Sequence, residues 1–221
     1  MKKKIEAFQF ITCERPGMGH ALSADLAYRA GCGWVQLRMK DHTDDAILEE
    51  ALKAKTFADK YSGILIVNDR PEIAKAAGAH GVHLGKEDML PSVARAIMGN
   101  DAIIGGTANS FQEILHLVRE GVDYIGLGPF RFTTTKKRLS RLLGLEGYQT
   151  IVSRMKNSGI NIPIVAIGGI VPDDVPSLRE AGVWGVAASG AVAGSGCFET
   201  EIRRFLIATG QGFIETSKSK F

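Results

Sequence analysis

Two aspartates stand apart from the other acids of this chain because of where they fall. Asp69 sits in Val67-Asn68-Asp69-Arg70, and Asp88 ends Gly81-Val82-His83-Leu84-Gly85-Lys86-Glu87-Asp88. Each follows a short apolar run of strand character, and a helical stretch joins the two runs. If those strands are parallel neighbours, both carboxylates emerge at one end of one sheet and can share a divalent cation. Mg²⁺ habitually takes one or two carboxylates together with substrate oxygens. A third cluster, Thr133-Thr134-Thr135-Lys136, follows another such run and offers hydroxyls and an ammonium to a phosphate. Acids beside such a clamp point to metal-assisted handling of a phosphorylated substrate. Plainer readings exist: a helix-entry ion pair at Asp69-Arg70, an N-cap at Asp88 ahead of Pro91, and a solvated Thr/Lys loop. The three features in conjunction outweigh them.

Gln36, Arg38 and Lys40 have period-two spacing, so one face of a strand end presents all three. An amide, a guanidinium and an ammonium aimed at one place suit a diphosphate beside a heterocycle. An ion-pair layer inside a barrel is the competing reading, but barrel interiors are filled mainly by branched apolar residues.

The elements that must position these groups repeat along the chain. Strand-like runs are expected at Phe8–Ile11, Trp34–Leu37, Ile64–Val67, Gly81–Leu84, Ala102–Ile104, Tyr124–Leu127, Ile164–Ile167 and Gly185–Ala188. They are rich in Ile, Val and Leu and seldom alternate with polar residues, as parallel strands buried on both faces do. Between them, Asp44 to Lys60 and Phe111 to Glu120 carry apolar residues at helical spacing, with Asn109-Ser110 available to cap the latter and Gly121 to end it. Eight βα units predict an α/β fold, a single (β/α)₈ barrel over residues 1–208, with a frayed tail at 209–221. A doubly wound open sheet is the alternative, but no Gly-x-Gly-x-x-Gly follows the first strand.

In a (β/α)₈ barrel, chemistry sits where strands hand over to the following helices. Those positions hold Thr12-Cys13-Glu14, Arg38-Met39-Lys40, Asn68-Asp69-Arg70, Lys86-Glu87-Asp88, Thr107-Ala108-Asn109, Thr133 to Lys136, Gly168-Gly169 and Ser189-Gly190. The opposite strand ends carry mostly Gly, Ala and simple charges. Glycine lets an anion approach backbone N–H groups closely, although Gly-Gly after a strand is also ordinary turn chemistry. His83 reads as a buried, hydrogen-bonded strand residue, and His20, His42, His80 and His116 have no partner in view. No Ser-His-Asp or Cys-His set can be assembled.

Composition sets the remaining bounds. With 221 residues, 45% hydrophobic and 23% charged, the chain suits one large globular domain, and a net charge of +3 is too small for a nucleic-acid surface. Cys13, Cys32 and Cys197 show no Cys-x-x-Cys spacing, which argues against a zinc site and for a reduced, cytoplasmic setting. No apolar run is long enough to span a bilayer, so neither membrane nor nucleic acid is expected as a partner. The sequence leaves the oligomeric state open, a homodimer included.

Taken in order, Gln36-Leu37-Arg38-Met39-Lys40, Val67-Asn68-Asp69-Arg70, Gly81 to Asp88, Asp123-Tyr124-Ile125-Gly126-Leu127-Gly128-Pro129, Thr133 to Lys136 and Ile167-Gly168-Gly169-Ile170 resemble thiamine phosphate synthase. The likeness runs from near Phe8 to Leu206. It implies a Mg²⁺-dependent (β/α)₈ transferase that joins 4-amino-5-hydroxymethyl-2-methylpyrimidine diphosphate to 4-methyl-5-(2-phosphoethyl)thiazole. By position it makes Gln36, Arg38, Lys40, Asn68, Thr107 and Lys136 ligands of the pyrimidine diphosphate. Arg38, Lys40 and Lys136 would act on the departing group, and Asp69 and Asp88 would bind metal. Thr133, Thr134, Thr135, Gly169, Ser189 and Gly190 would hold the thiazole phosphate. The chain departs from the family's habit at Lys86 (commonly Gln), Thr107 (commonly Ser) and Asn109 (commonly His), and its serine after the last strand is displaced by one. A thiazole tautomerase-like relative and a non-catalytic barrel that binds thiamine precursors are the rival readings.

Overall fold

A computed structural model describes residues 3–14, 17–132 and 141–212. The eight strands are β1 Phe8–Ile11, β2 Trp34–Leu37, β3 Ile64–Asn68, β4 Gly81–Leu84, β5 Ile103–Ala108, β6 Tyr124–Leu127, β7 Ile164–Ala166 and β8 Gly185–Ala188. All pair in parallel with their sequence neighbours, and β8 closes onto β1. The closed barrel bears out the expected fold and excludes the open sheet.

The helices fill the outer layer: α1 His20–Arg29, α2 Asp44–Lys60, α3 Pro71–Ala76, α4 Pro91–Met98, α5 Phe111–Arg119, α6 Gly144–Asn157, α7 Val175–Glu180, α8 Gly190–Ala193 and α9 Phe198–Ala208. In α2 the buried positions Ile47, Ala51, Ala54 and Ala58 recur at helical spacing, and the Thr43 hydroxyl accepts from Ala46 N–H at 3.3 Å. Ser110 caps α5 by accepting from Glu113 N–H, and Gly121 follows that helix at φ +76°. Beyond α9, Thr209 is buried and Gln211 donates to Glu6 at 2.8 Å; residues 213–221 of the expected tail lie outside the described residues.

The barrel interior has its own core. Trp34, Ile66, Ile103, Tyr124, Val165 and Ala187 cluster apart from the residues packed between strands and helices. Trp34 and Tyr124 are fully buried and meet edge to face, with ring centroids 4.9 Å apart. Because successive strand side chains alternate faces, the inward set two residues further along each strand is fixed by this layer. It comprises Gln36, Asn68, Gly105 and Gly126, with His83, Gln9 and Ile11 from β4 and β1.

Strand five differs from expectation. It runs to Ala108, so Thr107 is a strand residue rather than a loop residue. Gly105-Gly106 resembles a turn but is required by packing. A Cβ at Gly105 would come within 2.3 Å of the Tyr124 ring, and one at Gly106 within 2.7 Å of Leu117.

Candidate active site

At the C-terminal rim a cavity of about 630 Å³ is lined by Gln36, Arg38 and Lys40 from β2 and its exit, and by Asn68 at the end of β3 with Asp69 just beyond it. Gly85 to Asp88, Thr107 and Asn109 complete its far side. A second cavity of about 440 Å³ shares Ile11, Arg38, Pro129 and Ile167 with the first and is lined otherwise by Gly168, Gly169 and the Ala187 to Ala191 segment. The seven expected side chains that lie within the described residues on the β2–β5 side therefore converge on the larger cavity, whereas Gly169, Ser189 and Gly190 converge on the smaller. Thr133, Thr134, Thr135 and Lys136 lie outside the described residues.

Asp69 and Asp88 meet. The register sets Asn68 beside His83, and Asp69 N–H donates to His83 O at 2.9 Å, so the exits of β3 and β4 run side by side. Asp69 has φ +65°, a left-handed conformation that Asp tolerates better than most residues. Gly85 N–H donates to Asp88 Oδ2 at 2.6 Å, and a Cβ at Gly85 would lie 2.7 Å from that oxygen. The turn therefore holds the Asp88 carboxyl at the cavity wall, and a side chain at Gly85 would press directly on it.

The two acids stand close enough to hydrogen-bond when one of them is protonated. Burial, then the hydrogen bond to Asp69 and the charge of Asp69, push Asp88 up to about 6. Burial alone would raise Asp69, but hydrogen bonds from Asp88 and from Lys40 outweigh it and hold Asp69 below its ordinary value. Lys40 Nζ lies 2.8 Å from Asp69 Oδ2. Burial pulls the neighbouring Arg38 guanidinium down from its usual value while Asp69 opposes that shift. Among the described residues no set of three or more His, Cys, Asp or Glu side chains gathers to hold a metal. What exists is a pair of hard oxygen donors, the second of which ionises only near pH 6 because of burial and because the first is already charged. Such a pair fits an ion that completes its shell with water and substrate oxygens.

Four further residues singled out in the sequence have partners of their own. Lys86 Nζ pairs with Glu113 Oε1 at 2.5 Å, turning its charge toward α5 rather than the two aspartates. Glu113 also accepts from Asn109 N–H at 2.6 Å, and the Asn109 amide donates to Gly128 O. His20, which lacked a visible partner in the sequence, is buried between Thr12 Oγ1 at 2.8 Å and Glu14 Oε1 at 3.0 Å. His80 likewise has a partner, accepting from Leu65 N–H at 3.0 Å.

The smaller cavity owes its shape to glycine. Gly168 and Gly169 have φ +91° and +70°, and Cβ atoms there would come within 2.6 Å of Pro129 and 2.4 Å of Arg131. Ser189 Oγ is buried with no hydrogen-bond partner among the described residues, an unusual state for a hydroxyl not reserved for a ligand. Sequence reasoning missed Gln9 and Tyr124, which lie under the larger cavity and also line it. The inward parity of β1 and β6 was the signal that marked them.

A closed eight-stranded parallel barrel with its polar groups gathered at the strand ends is a (β/α)₈ enzyme by architecture and by site. Residues 8–192 match the model of a family described as thiamine monophosphate synthase. The thiamine-phosphate synthase of Phocaeicola vulgatus is 47% identical over 192 residues, spanning 87% of this chain and 92% of that protein. That of Bacteroides fragilis is 48% identical over 186 residues, spanning 84% and 91%. A solved structure of thiamine phosphate pyrophosphorylase from Pyrococcus furiosus superposes with a TM-score of 0.81 at 30% identity, covering 92% of this chain and 95% of that one. The chain belongs to the thiamine monophosphate synthase family, and it is a transferase. No helix among the described residues is long and apolar enough to cross a membrane.

Proposed function

We propose that this enzyme condenses 4-amino-5-hydroxymethyl-2-methylpyrimidine diphosphate with 4-methyl-5-(2-phosphoethyl)thiazole, giving thiamine phosphate and diphosphate. The observation that carries this reading is the pair of contiguous cavities with unlike linings, which meet at Arg38. Two substrates, each bearing phosphate, require two anion sites whose reacting ends touch. In this reading Gln36 receives the pyrimidine edge, and Arg38, Lys40, Asn68, Thr107 and Lys136 receive the diphosphate. Gly169, Ser189 and Gly190 receive the thiazole phosphate, with Thr133, Thr134 and Thr135 adding hydroxyls.

Asp69 and Asp88 would hold Mg²⁺, which when bound supplies positive charge to the diphosphate oxygens. Arg38 and Lys40 bring positive charge to the same leaving group, the Arg38 guanidinium from a partly buried position. The pyrimidine C–O bond breaks with its electron pair departing on diphosphate, and the exocyclic amine stabilises the resulting cation. The thiazole nitrogen then donates its lone pair to that carbon. No proton needs to move in either step. The walls of the two cavities hold both rings in attacking geometry. A tautomerase would need a base near Asn109, whose carboxamide is instead tied to Gly128 O. The free Cys13, Cys32 and Cys197 support a reducing, cytoplasmic setting.

The test is purified protein with both half-molecules and Mg²⁺, following thiamine phosphate and diphosphate together. Equimolar release supports the reading, and no product overturns it. Asp69→Ala and Asp88→Ala are expected to abolish turnover while circular dichroism stays unchanged. Full activity in both variants would overturn the metal assignment.

A further inference from the structure

Below the rim, a line of polar side chains crosses the barrel interior, and the substrate contacts above do not explain it. Gln36 Nε2 donates to Gln9 Oε1 at 3.1 Å, and Gln9 Nε2 donates to Tyr124 OH at 3.4 Å. Tyr124 OH lies 3.0 Å from His83 Nδ1, and His83 Nε2 lies 2.9 Å from Thr107 Oγ1. Gln9, Gln36, Tyr124 and His83 are all buried. Room for them is made deliberately: a Cβ at Gly105 would meet His83 Nδ1 at 2.6 Å, and one at Gly126 would meet His83 Cε1 at 3.1 Å.

The chain of bonds has a direction. A phenol has one proton, and the Tyr124 oxygen already accepts from Gln9, with Gln36 hydrogen-bonding to it as well. Its own proton therefore goes to His83 Nδ1. Burial raises the Tyr124 pKa, which keeps that proton on oxygen. His83 must then carry its hydrogen on Nε2 and donate it to Thr107 Oγ1. The Thr107 hydroxyl, accepting from His83, keeps its one proton to donate into the larger cavity, which it lines. Run the other way, every member would turn, and Thr107 would spend its proton on His83.

We propose that Tyr124 and His83 are positioning residues that fix the Thr107 hydroxyl as a donor toward the departing diphosphate, in a direction set by the Gln36 carboxamide. The inference rests on the function proposed above. It links the group that reads the pyrimidine ring to a donor at the leaving group, so recognition at one end orients chemistry at the other.

Two measurements test it. In the unliganded protein at pH 8, long-range ¹H–¹⁵N correlation of the His83 ring, assigned by its loss in His83→Gln, should show hydrogen on Nε2 and a bare Nδ1. Steady-state kinetics of Tyr124→Phe, Thr107→Val and the double variant should form a non-additive cycle. Tyr124→Phe is expected to lower kcat roughly tenfold with little change in KM, and to cost less than about twofold once Thr107 is Val. In a Thr107→Ser background the full effect of Tyr124→Phe should return. Hydrogen on Nδ1, or additive losses in an active enzyme, would overturn the inference alone. A wild-type protein that makes no thiamine phosphate would overturn the parent function too, whatever the tautomer.

Discussion

Replacing Asp88 with Asn should make the metal-free protein more stable above pH 6 while destroying its activity. Asp88 is raised from 3.8 to about 6, chiefly by burial and by Asp69. That difference of about two pH units, at 1.36 kcal/mol each, bounds the effect near 3 kcal/mol. Solvent reaches part of the side chain, so screening reduces the expected contribution to about 1–2 kcal/mol. The sign follows from linkage. A carboxyl whose pKa is raised by folding stabilises fully below its unfolded value, and that stabilisation is lost as pH climbs through about 6. Asn resembles the protonated acid: its carbonyl can accept from Gly85 N–H, and its NH₂ can donate to Asp69. Thermal melts in EDTA from pH 4 to 8 should therefore show the Tm of Asp88→Asn rising relative to wild type between pH 4 and 6, then holding about 2–8 °C higher. Comparing differences across pH cancels any constant effect of the substitution. A gap that stays flat or narrows as pH rises would refute the coupling of the two acids. Adding Mg²⁺ should raise the wild-type Tm and leave the variant unmoved.

Gly85→Ala, whose new Cβ would press within 2.7 Å of Asp88 Oδ2, should weaken Mg²⁺ activation at least severalfold, read as a higher Mg²⁺ concentration for half-maximal rate. Gly168→Ala forces an L side chain to φ +91° against Pro129 and should cost about 1–3 kcal/mol of stability. Its kinetic signature should be a raised KM for the thiazole phosphate rather than for the pyrimidine diphosphate. Cys197 is exposed and its thiol is pulled below its usual value by hydrogen bonds with Thr200, whereas burial pushes Cys32 up to about 12. Iodoacetamide with mass spectrometry should label Cys197 in the native protein and Cys32 only after unfolding.

The fold was legible because strands buried on both faces must be continuously apolar, and eight such runs with helical spacers leave few architectures. β5 was cut short because Gly105-Gly106 looks like a turn, and only the bulk of Tyr124 and Leu117 explains glycine inside a strand. Much of the site was legible for a related reason: period-two spacing ties Gln36 and Arg38 to one face, and parallel order brings Asp69 next to Asp88. The internal relay was not. Its partners lie 115 residues apart for Gln9 and Tyr124 and 41 for Tyr124 and His83, and strand parity marks Gln9 and Tyr124 as inward without naming the partner each meets. The duty of Lys86 was equally hidden, since Glu113 reaches it from the next helix.

Trp34 against Tyr124 stoppers the barrel from below. Under the proposed chemistry whatever enters deepest must enter first, and the ring seated at Gln36 is blocked from retreat once the thiazole arrives above it. Diphosphate, held by groups that stand progressively nearer the doorway from Arg38 to Lys40, can depart without disturbing either ring. In that reading the order of entry traces to a floor made by two aromatic side chains, of which Tyr124 also lines the larger cavity.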